Sequence, residues 1–351
     1  MKKRYLSTGN EACGEGAVRA GCRFYAGYPI TPQNELTSYM SKRMEEESGV
    51  FIQSESELAA VNMVLGASAV GKRAMTSSSS PGISLKQEGI SYLAGCELPA
   101  VIVNVMRGGP GLGNISPAQG DYFQATKGGG HGDYRLLVLA PADVQEMFDF
   151  TYEAFALADK YRNPVMILSD GMLGQMMEAL EFDEDIKPSG IAEKPWAING
   201  AKGRQAKSIK SLWLKDNALE KHNEYLQKKY KQMAKEVKFE VYNMESAEIV
   251  VVAYGTTSRI VKAAIDFLNK ENIKTGLIRP ITLWPFPYEE IRVRAGNKNT
   301  KFLVVEMSAG QMVEDVRLAV QDDNRVFFHG RMGGGVPSEK EIVRKVKEII
   351  V

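Results

Sequence analysis

The feature that most constrains the fold is a regular alternation of short apolar runs with longer helix-like segments. Its clearest member spans residues 100–106, a nearly unbroken apolar run typical of a strand buried on both faces. Further strands are predicted at residues 22–26, 50–53, 73–76, 136–139 and 165–169, with helices between them. Strands that alternate with helices in this way form βαβ units, so we expect an α/β fold built on a parallel sheet.

The alternation stops near residue 183 and restarts at residue 249, which predicts two parallel-sheet domains. We place the first domain at residues 1–185 and the second at residues 246–351. The intervening residues 186–245 are rich in Lys, Glu, Asn and Gln and are interpreted as a charged linker with one solvated surface helix. An arm that binds a partner protein is the alternative interpretation.

Composition excludes several classes of protein. The chain has 351 residues and a formal net charge of +1, so no global charge would attract nucleic acid or a membrane surface. Neither a transmembrane run of 18 apolar residues nor the apolar stretch of a signal peptide is found, and a cytoplasmic location is expected. Three cysteines are too few for a disulfide framework or for an iron–sulfur cluster held by this chain alone.

Polar residues cluster where four predicted strands end. These loops are residues 27–35 (Gly-Tyr-Pro-Ile-Thr-Pro-Gln-Asn-Glu), 53–60 (Gln-Ser-Glu-Ser-Glu-Leu-Ala-Ala), 76–82 (Thr-Ser-Ser-Ser-Ser-Pro-Gly) and 107–113 (Arg-Gly-Gly-Pro-Gly-Leu-Gly). In an open parallel sheet, ligands bind beyond the carboxyl ends of the strands. We therefore expect one polar site assembled from several loops at this edge.

Each loop also has a local structural explanation. Thr31 before Pro32 suits a helix N-cap followed by proline at the first helical position. Ser54 and Glu57 have the spacing of a capping box. The serine run is either a phosphate-binding nest or a polar loop. Arg107 directly follows an apolar strand and must find an anion or acceptors near the sheet edge, which favours a functional role.

A second glycine-rich stretch, residues 127–134 (Lys-Gly-Gly-Gly-His-Gly-Asp-Tyr), would let backbone approach a ligand closely. His131 in its centre is a candidate site residue. By contrast, residues 66–73 only imitate a nucleotide-binding phosphate loop, because Arg73 replaces the hydroxyl residue and the glycines end a helix instead of opening one.

Together these motifs resemble the alpha subunit of 2-oxoacid:ferredoxin oxidoreductases. The resemblance includes residues 279–287 (Arg-Pro-Ile-Thr-Leu-Trp-Pro-Phe-Pro) and runs in order along essentially the whole chain. It implies a thiamine-pyrimidine-binding domain followed by a transketolase C-terminal-like domain. The sequence is most similar to the branched-chain 2-oxoisovalerate (3-methyl-2-oxobutanoate) type, with the 2-oxoglutarate type close behind.

The resemblance also implies roles for individual residues. Glu57 would hydrogen-bond the aminopyrimidine ring of thiamine diphosphate, although Glu55 is an open alternative. Leu58, Ala59 and Ala60 follow Glu57, and the small alanines favour it because they let the helix lie close to the ring. Thr31 and Arg107 would act in catalysis and bind the substrate, and His131 would also contact it. The remaining positions implied in cofactor binding are Tyr28, Pro29, Ile30, Thr76 and Ser77.

The enzyme implied is active only with partner subunits. The diphosphate and Mg2+ of the cofactor would lie on a beta subunit, because Ser169-Asp-Gly171 is a poor match to the usual magnesium motif. Iron–sulfur clusters would lie on a ferredoxin-like delta subunit, and a gamma subunit is also expected. In the reaction, coenzyme A would take the acyl group and ferredoxin would accept the electrons. Two other hypotheses remain: a noncatalytic scaffold subunit and an oxoacid dehydrogenase subunit that uses lipoamide.

Overall fold

The computed structural model describes residues 2–190 and 193–350. The outer limits of the two predicted domains, Met1 and Val351, lie outside the described residues, as do Ile191 and Ala192 of the predicted linker. The described part contains these strands: β1 (Lys2–Thr8), β2 (Phe24–Gly27), β3 (Val50–Gln53), β4 (Ala74–Ser78), β5 (Val101–Met106), β6 (Leu137–Leu139), β7 (Val165–Asp170), β8 (Met177–Asp183), β9 (Phe239–Tyr242), β10 (Ile249–Val252), β11 (Thr275–Pro280), β12 (Thr282–Trp284), β13 (Lys301–Glu306) and β14 (Val326–Gly330).

The helices in the same range are α1 (Gly9–Arg19), α2 (Asn34–Glu46), α3 (Glu57–Ala69), α4 (Ser80–Gly95), α5 (Tyr122–Thr126), α6 (Val144–Tyr161), α7 (Gly171–Gln175), α8 (Ala218–Met233), α9 (Gly255–Lys270), α10 (Tyr288–Ala295), α11 (Met312–Val320) and α12 (Glu339–Ile350). Every strand and helix predicted from the periodicity is present, with ends displaced by a few residues.

Two mostly parallel sheets form the core of the molecule. The first has the strand order β12-β6-β7-β5-β4-β2-β3, and the second has the order β14-β13-β10-β11-β9. All six residues of β5 are buried, as expected for a central strand covered by helices on both faces. The predicted α/β class with two parallel sheets is confirmed.

Antiparallel strand pairs also occur, and none of them was predicted. β1 pairs with β8 as a separate two-stranded sheet, and β9 pairs with β11 to form one edge of the second sheet. The short strand β12 comes from the second half of the chain but pairs with β6 in the first sheet. The chain therefore crosses back to the first sheet after its second sheet has begun.

The segment interpreted as a linker is more ordered than a solvated connection. Its helix α8 buries Leu226, Tyr230 and Met233 on one face, and Lys229 forms an ion pair with Glu97 at 3.5 Å. The predicted surface helix is present, and it is amphipathic, with one face packed on the body of the protein. The exact domain limits stay predictions.

Buried polar contacts fix the second sheet against the first. Gln119 has no exposed surface; its amide nitrogen donates to the Tyr254 carbonyl at 3.0 Å, and its amide oxygen accepts from Thr257 Oγ1 and from the Met307 N–H, both at 3.0 Å. Nearby, Asp315 of α11 accepts a hydrogen bond from Tyr122 at 2.6 Å. Leaving buried polar groups of this kind unpaired would cost free energy. These hydrogen bonds therefore fix the position of the second sheet relative to the first.

Candidate active site at the carboxyl edge of the first sheet

Three of the four predicted loops meet directly at the carboxyl edge of the first sheet. Arg107 directly follows β5, and Thr31 lies in the loop after β2. The Arg107 guanidinium group donates to the Thr31 carbonyl at 3.0 Å. The Arg107 N–H donates to Ser80 Oγ at 3.0 Å, and Ser80 follows β4. The strands β5, β4 and β2 are neighbours in the sheet, so their carboxyl ends converge here. The sequence-based expectation of one polar site at this edge agrees with this arrangement.

Glu57 brings the fourth loop to the same place. It is the first residue of α3 and only 6% exposed, whereas Glu55 is exposed to solvent. The predicted capping box was wrong: Ser56 is the N-cap and its hydroxyl accepts from the Ala59 N–H at 3.1 Å. Ser54 is turned away and donates to the Gly27 carbonyl at 3.1 Å, which ties this loop to the end of β2. The Glu57 carboxylate is therefore not used as a helix cap.

The Glu57 carboxylate packs against Gly82 in the first turn of α4. A Cβ on Gly82 would lie 2.6 Å from Glu57 Oε1 and 2.0 Å from Ser78 Oγ, so only glycine allows both groups to approach. Ser78 and Ser79 are fully buried, and their hydroxyls lack a hydrogen-bond partner among the described residues. Buried hydroxyls normally have partners, so unpaired ones beside a buried carboxylate indicate a place where a polar ligand is received.

Substituting Gly82 tests this close approach. We expect Gly82→Ala to destabilise the protein by about 1–3 kcal/mol through overpacking and to weaken cofactor binding by displacing the Glu57 carboxylate. Gly66→Ala in the adjacent α3 is the matched control, because its Cβ would enter open space; a gain of about 0.5–1 kcal/mol is expected there. Thermal unfolding of both variants measures the difference, and equal shifts would contradict the assignment.

The other predicted cofactor-binding hydroxyls lie deeper in the sheet. Ser77 donates to Gln33 Oε1 at 2.6 Å and hydrogen-bonds Tyr25 at 2.6 Å, and Thr37 completes the group. Burial raises the pKa of Tyr25 to about 12, so this network stays uncharged. The Thr76 hydroxyl is buried without a partner among the described residues. Ser77 therefore holds the loop that carries Thr31, and its cofactor contact stays a prediction, as does that of Thr76.

The loop after β2 differs from its predicted form. Helix α2 begins at Asn34 with Gln33 as the N-cap, so the prediction that Thr31 caps the helix and Pro32 opens it was wrong. The reason is that two carbonyls of the loop are used elsewhere: that of Thr31 accepts from Arg107, and that of Pro32 accepts from Asn10 at 2.9 Å. The Thr31 side chain is partly exposed and accepts from Asn34 at 3.2 Å.

Three further residues of this loop were predicted to contact the cofactor. Tyr28 and Pro29 are exposed, and Ile30 is partly buried. Such a loop presents apolar surface at the edge where Glu57 and Thr31 lie. Their contact with a cofactor stays a prediction.

Arg107 joins two loops and borders a cleft. It is 7% exposed; its second guanidinium nitrogen donates to the Leu112 carbonyl at 2.9 Å, and its Nε has no partner among the described residues. The cleft has a volume of about 550 Å3 and lies between the first sheet and the loop that contains Met307 and Gln311. An arginine that lines a cleft can bind an anionic group there.

Asn104 and Asp121 were missed by the sequence analysis. Asp121 borders the same cleft and accepts from the Asn104 amide at 2.9 Å, and burial raises the pKa of the Asp121 carboxyl above its usual range. Asn104 is the polar residue inside the otherwise apolar run of β5, and this exception was the available signal.

His131 is not brought to this cleft. It is exposed in a loop that is anchored on α4 through Tyr134, whose hydroxyl accepts from the Gly130 N–H at 2.9 Å and donates to Gln87 at 3.3 Å. His131 does not border the cleft described above. Its contact with the substrate stays a prediction.

The weak magnesium motif has a structural role. Asp170 caps α7 by accepting from the N–H groups of Met172 and Leu173, and it accepts from Thr256 Oγ1 at 2.6 Å. Burial raises the pKa of the Asp170 carboxyl. Among residues 2–190 and 193–350, no group of three or more His, Cys, Asp or Glu side chains is arranged to hold a metal ion. The described helices also include none with the length and apolar character needed to cross a membrane.

Comparison with protein families agrees with this geometry. Residues 15–248 match the model described as pyruvate flavodoxin/ferredoxin oxidoreductase, thiamine diphosphate-binding, and residues 247–342 match pyruvate:ferredoxin oxidoreductase core domain II. The chain belongs to this oxidoreductase family. The resemblance to 2-oxoacid:ferredoxin oxidoreductase subunits is thereby confirmed, and so is its assignment as an enzyme subunit that works with partners.

Individual relatives in this family are similar over nearly the whole chain. The ketoisovalerate oxidoreductase subunit VorB of Methanothermobacter marburgensis is 52% identical over 97% of this chain and 96% of its own length. The 2-oxoglutarate synthase subunit KorA of Methanothermobacter thermautotrophicus is 36% identical over 99% of both chains. A 2-oxoglutarate:ferredoxin oxidoreductase from Magnetococcus marinus has a TM-score of 0.85 at 28% identity, covering 99% of this chain and 65% of that one.

Proposed function

We propose that this chain is the alpha subunit of a coenzyme-A-acylating 2-oxoacid:ferredoxin oxidoreductase, and that 2-oxoisovalerate is its preferred substrate. The complete enzyme would convert the oxoacid to acyl-CoA and CO2 and pass the electrons to ferredoxin. The observation that carries the proposal is the buried Glu57 carboxylate, which is held against Gly82 at the carboxyl edge of a parallel sheet and is free of any capping role. A cytoplasmic location stays a prediction.

The residues at this edge suit the pyrimidine half of thiamine diphosphate. Glu57 would hold a proton at a ring nitrogen, and the buried, unpaired hydroxyls of Ser78 and Ser79 offer further polar contacts. When bound, this cofactor supplies a nucleophilic carbon and an electron sink for decarboxylation. The chain's own contribution is to bind and orient the ring and to keep water from Glu57.

Arg107 and Thr31 would hold the substrate. Arg107 lines the cleft, and its guanidinium group is fixed by the carbonyls of Thr31 and Leu112. A guanidinium fixed in this way can orient a carboxylate without first losing side-chain freedom. Thr31, whose carbonyl accepts from Arg107, is a partly exposed residue, and its hydroxyl would face the carbonyl or carboxylate of the oxoacid.

The lining of the cleft favours a branched-chain substrate. Arg107 is the one cation among the described residues that line it, and the apolar part of the wall includes Met307, Ala309 and Met332. A 2-oxoglutarate site requires a second cation for the distal carboxylate, whereas an isopropyl group needs only apolar contacts. The greater identity to the ketoisovalerate oxidoreductase subunit, 52% against 36%, supports the same choice.

Partner subunits would supply the rest of the enzyme. Cys13 and Cys22 are buried, and burial raises the pKa of each thiol to about 12, so neither is suited to act as a thiolate ligand. We therefore assign the iron–sulfur clusters to a ferredoxin-like delta subunit. We also propose that the Mg2+–diphosphate site lies on a beta subunit and that a gamma subunit belongs to the complex.

The test is to purify the native complex and measure coenzyme-A-dependent viologen reduction with a panel of 2-oxoacids. We expect kcat/KM for 2-oxoisovalerate to exceed that for 2-oxoglutarate by at least about 100-fold, since the latter would leave a carboxylate without a cation in the cleft. Equal values would refute the branched-chain assignment. A complex that lacks acid-labile sulfide and needs lipoamide would refute the ferredoxin-linked reaction itself.

A further inference from the structure

Helices α3 and α4 make an unusually close contact beside Glu57. On α4, Gly82, Lys86 and Gly89 follow one another at spacings of four and three residues and therefore share one face. A Cβ on Gly82 would meet Glu57 of α3, and a Cβ on Gly89 would meet Val61 Cγ1 at 2.4 Å. Lys86 lies between these two contacts, so its side chain enters the packed interface of the two helices.

Lys86 is unusual within this interface. It has no exposed surface, and its ammonium nitrogen has no hydrogen-bond partner among the described residues. Burial lowers the pKa of Lys86 to about 8, and the Glu57 carboxylate acts in the opposite direction by favouring the charged form. A buried ammonium group destabilises a protein unless a charge or ligand compensates it, so packing alone does not account for this lysine.

The position of Lys86 relative to the sheet edge is also informative. Helix α4 begins at the carboxyl edge and runs back along the sheet, so Lys86 lies one turn further from that edge than Gly82. Long side chains on a helix extend toward its N-terminus, which directs the Lys86 ammonium group toward Gly82 and Glu57. The lysine therefore approaches the Glu57 carboxylate from the interior of the protein. The side of the carboxylate that faces the sheet edge stays open to a ligand.

We propose that Lys86 is a positioning residue that compensates the negative charge of the Glu57 carboxylate and directs it toward the sheet edge. The inference rests on the proposed function, in which Glu57 contacts the aminopyrimidine ring. A positive charge behind the buried carboxylate compensates its negative charge and holds it in place toward the ring. Lys86 thus acts through Glu57 and need not contact the cofactor.

The test is a double-mutant cycle on the thiamine diphosphate Kd, measured by calorimetry on the purified complex after removal of the cofactor. We expect Lys86→Met to raise the Kd about tenfold, the ratio that corresponds to about 1.4 kcal/mol. In a Glu57→Gln background the same substitution should change the Kd less than twofold, because its effect passes through the carboxylate. Lys86→Arg should retain more affinity than Lys86→Met.

Lys229→Met is the matched control. The Lys229 side chain is 8% exposed and burial lowers its pKa to about 8, but its charge partner is Glu97, away from the site. An unchanged Kd is expected for this variant. Lys86→Gln replaces Lys86→Met in the cycle if the latter does not assemble.

Two results would overturn the role of Lys86: an unchanged Kd in its neutral variants, or an equal loss in the Glu57→Gln background. Either result combined with an inactive Glu57→Gln complex would refute this inference alone. A fully active Glu57→Gln complex would instead refute the proposed function together with the inference.

Discussion

Replacing Glu57 by glutamine should lower the rate of oxoacid-dependent viologen reduction by about 100-fold or more. The substitution keeps the size of the side chain and its packing against Gly82 but removes the carboxylate that we propose shares a proton with the aminopyrimidine ring. General acid–base groups contribute roughly 10²–10⁴-fold to the rate. The measurement is steady-state kcat of the complex at saturating thiamine diphosphate and oxoacid.

Glu55→Gln is the control, since Glu55 lies two residues away in the same loop and is exposed. Its kcat should stay within about twofold of the unmodified complex, as most surface substitutions have little effect. The opposite ranking of the two variants would transfer the catalytic role to Glu55. Full activity of Glu57→Gln would favour the noncatalytic scaffold.

Arg107→Met should lower kcat/KM for the oxoacid by about 100-fold, mainly through a higher KM. Loss of a buried, charge-assisted partner costs roughly 2–5 kcal/mol, and 1.4 kcal/mol corresponds to a factor of ten. The substitution also leaves the carbonyls of Thr31 and Leu112 without their donor, so some loss of thermal stability is expected. Initial rates over a range of 2-oxoisovalerate concentrations give the two constants.

A structural effect and a substrate effect of Arg107 can be separated. Arg73→Met is a matched control: Arg73 is also buried, and it forms an ion pair with Asp159 at 2.8 Å in a different part of the structure. We expect a comparable loss of stability there with an unchanged KM. An unchanged KM in Arg107→Met would show that this arginine only holds the loops together.

The convergence of the polar loops could be predicted because it depends on local periodicity. Residues 100–106 belong to a series of strand-like runs that alternate with helices long enough to connect parallel strands. A parallel sheet places the carboxyl ends of such strands at one edge. The polar groups that follow each strand, such as Thr31 and Arg107, are therefore neighbours whatever the details of the loops. The candidate edge of the sheet followed directly from this reasoning.

Contacts between distant segments could not be predicted in the same way. The N-cap at Ser56 displaced the expected capping box because Ser54 bonds to Gly27, a partner 27 residues away. Likewise, nothing in the local pattern shows that β12 returns to β6 or that Lys86 faces Glu57 across two helices. Such details are decided by tertiary packing, which a single sequence does not display.

The return of β12 to the first sheet has a consequence for synthesis of the protein. A ribosome must reach Trp284 before the edge strand that covers β6 is available, so the amino-terminal half emerges with β6 unpaired along one side. Unpaired sheet edges promote association with other chains. A nascent chain halted before residue 282 should therefore bind chaperones or aggregate, and one extended beyond Trp284 should resist proteolysis at β6.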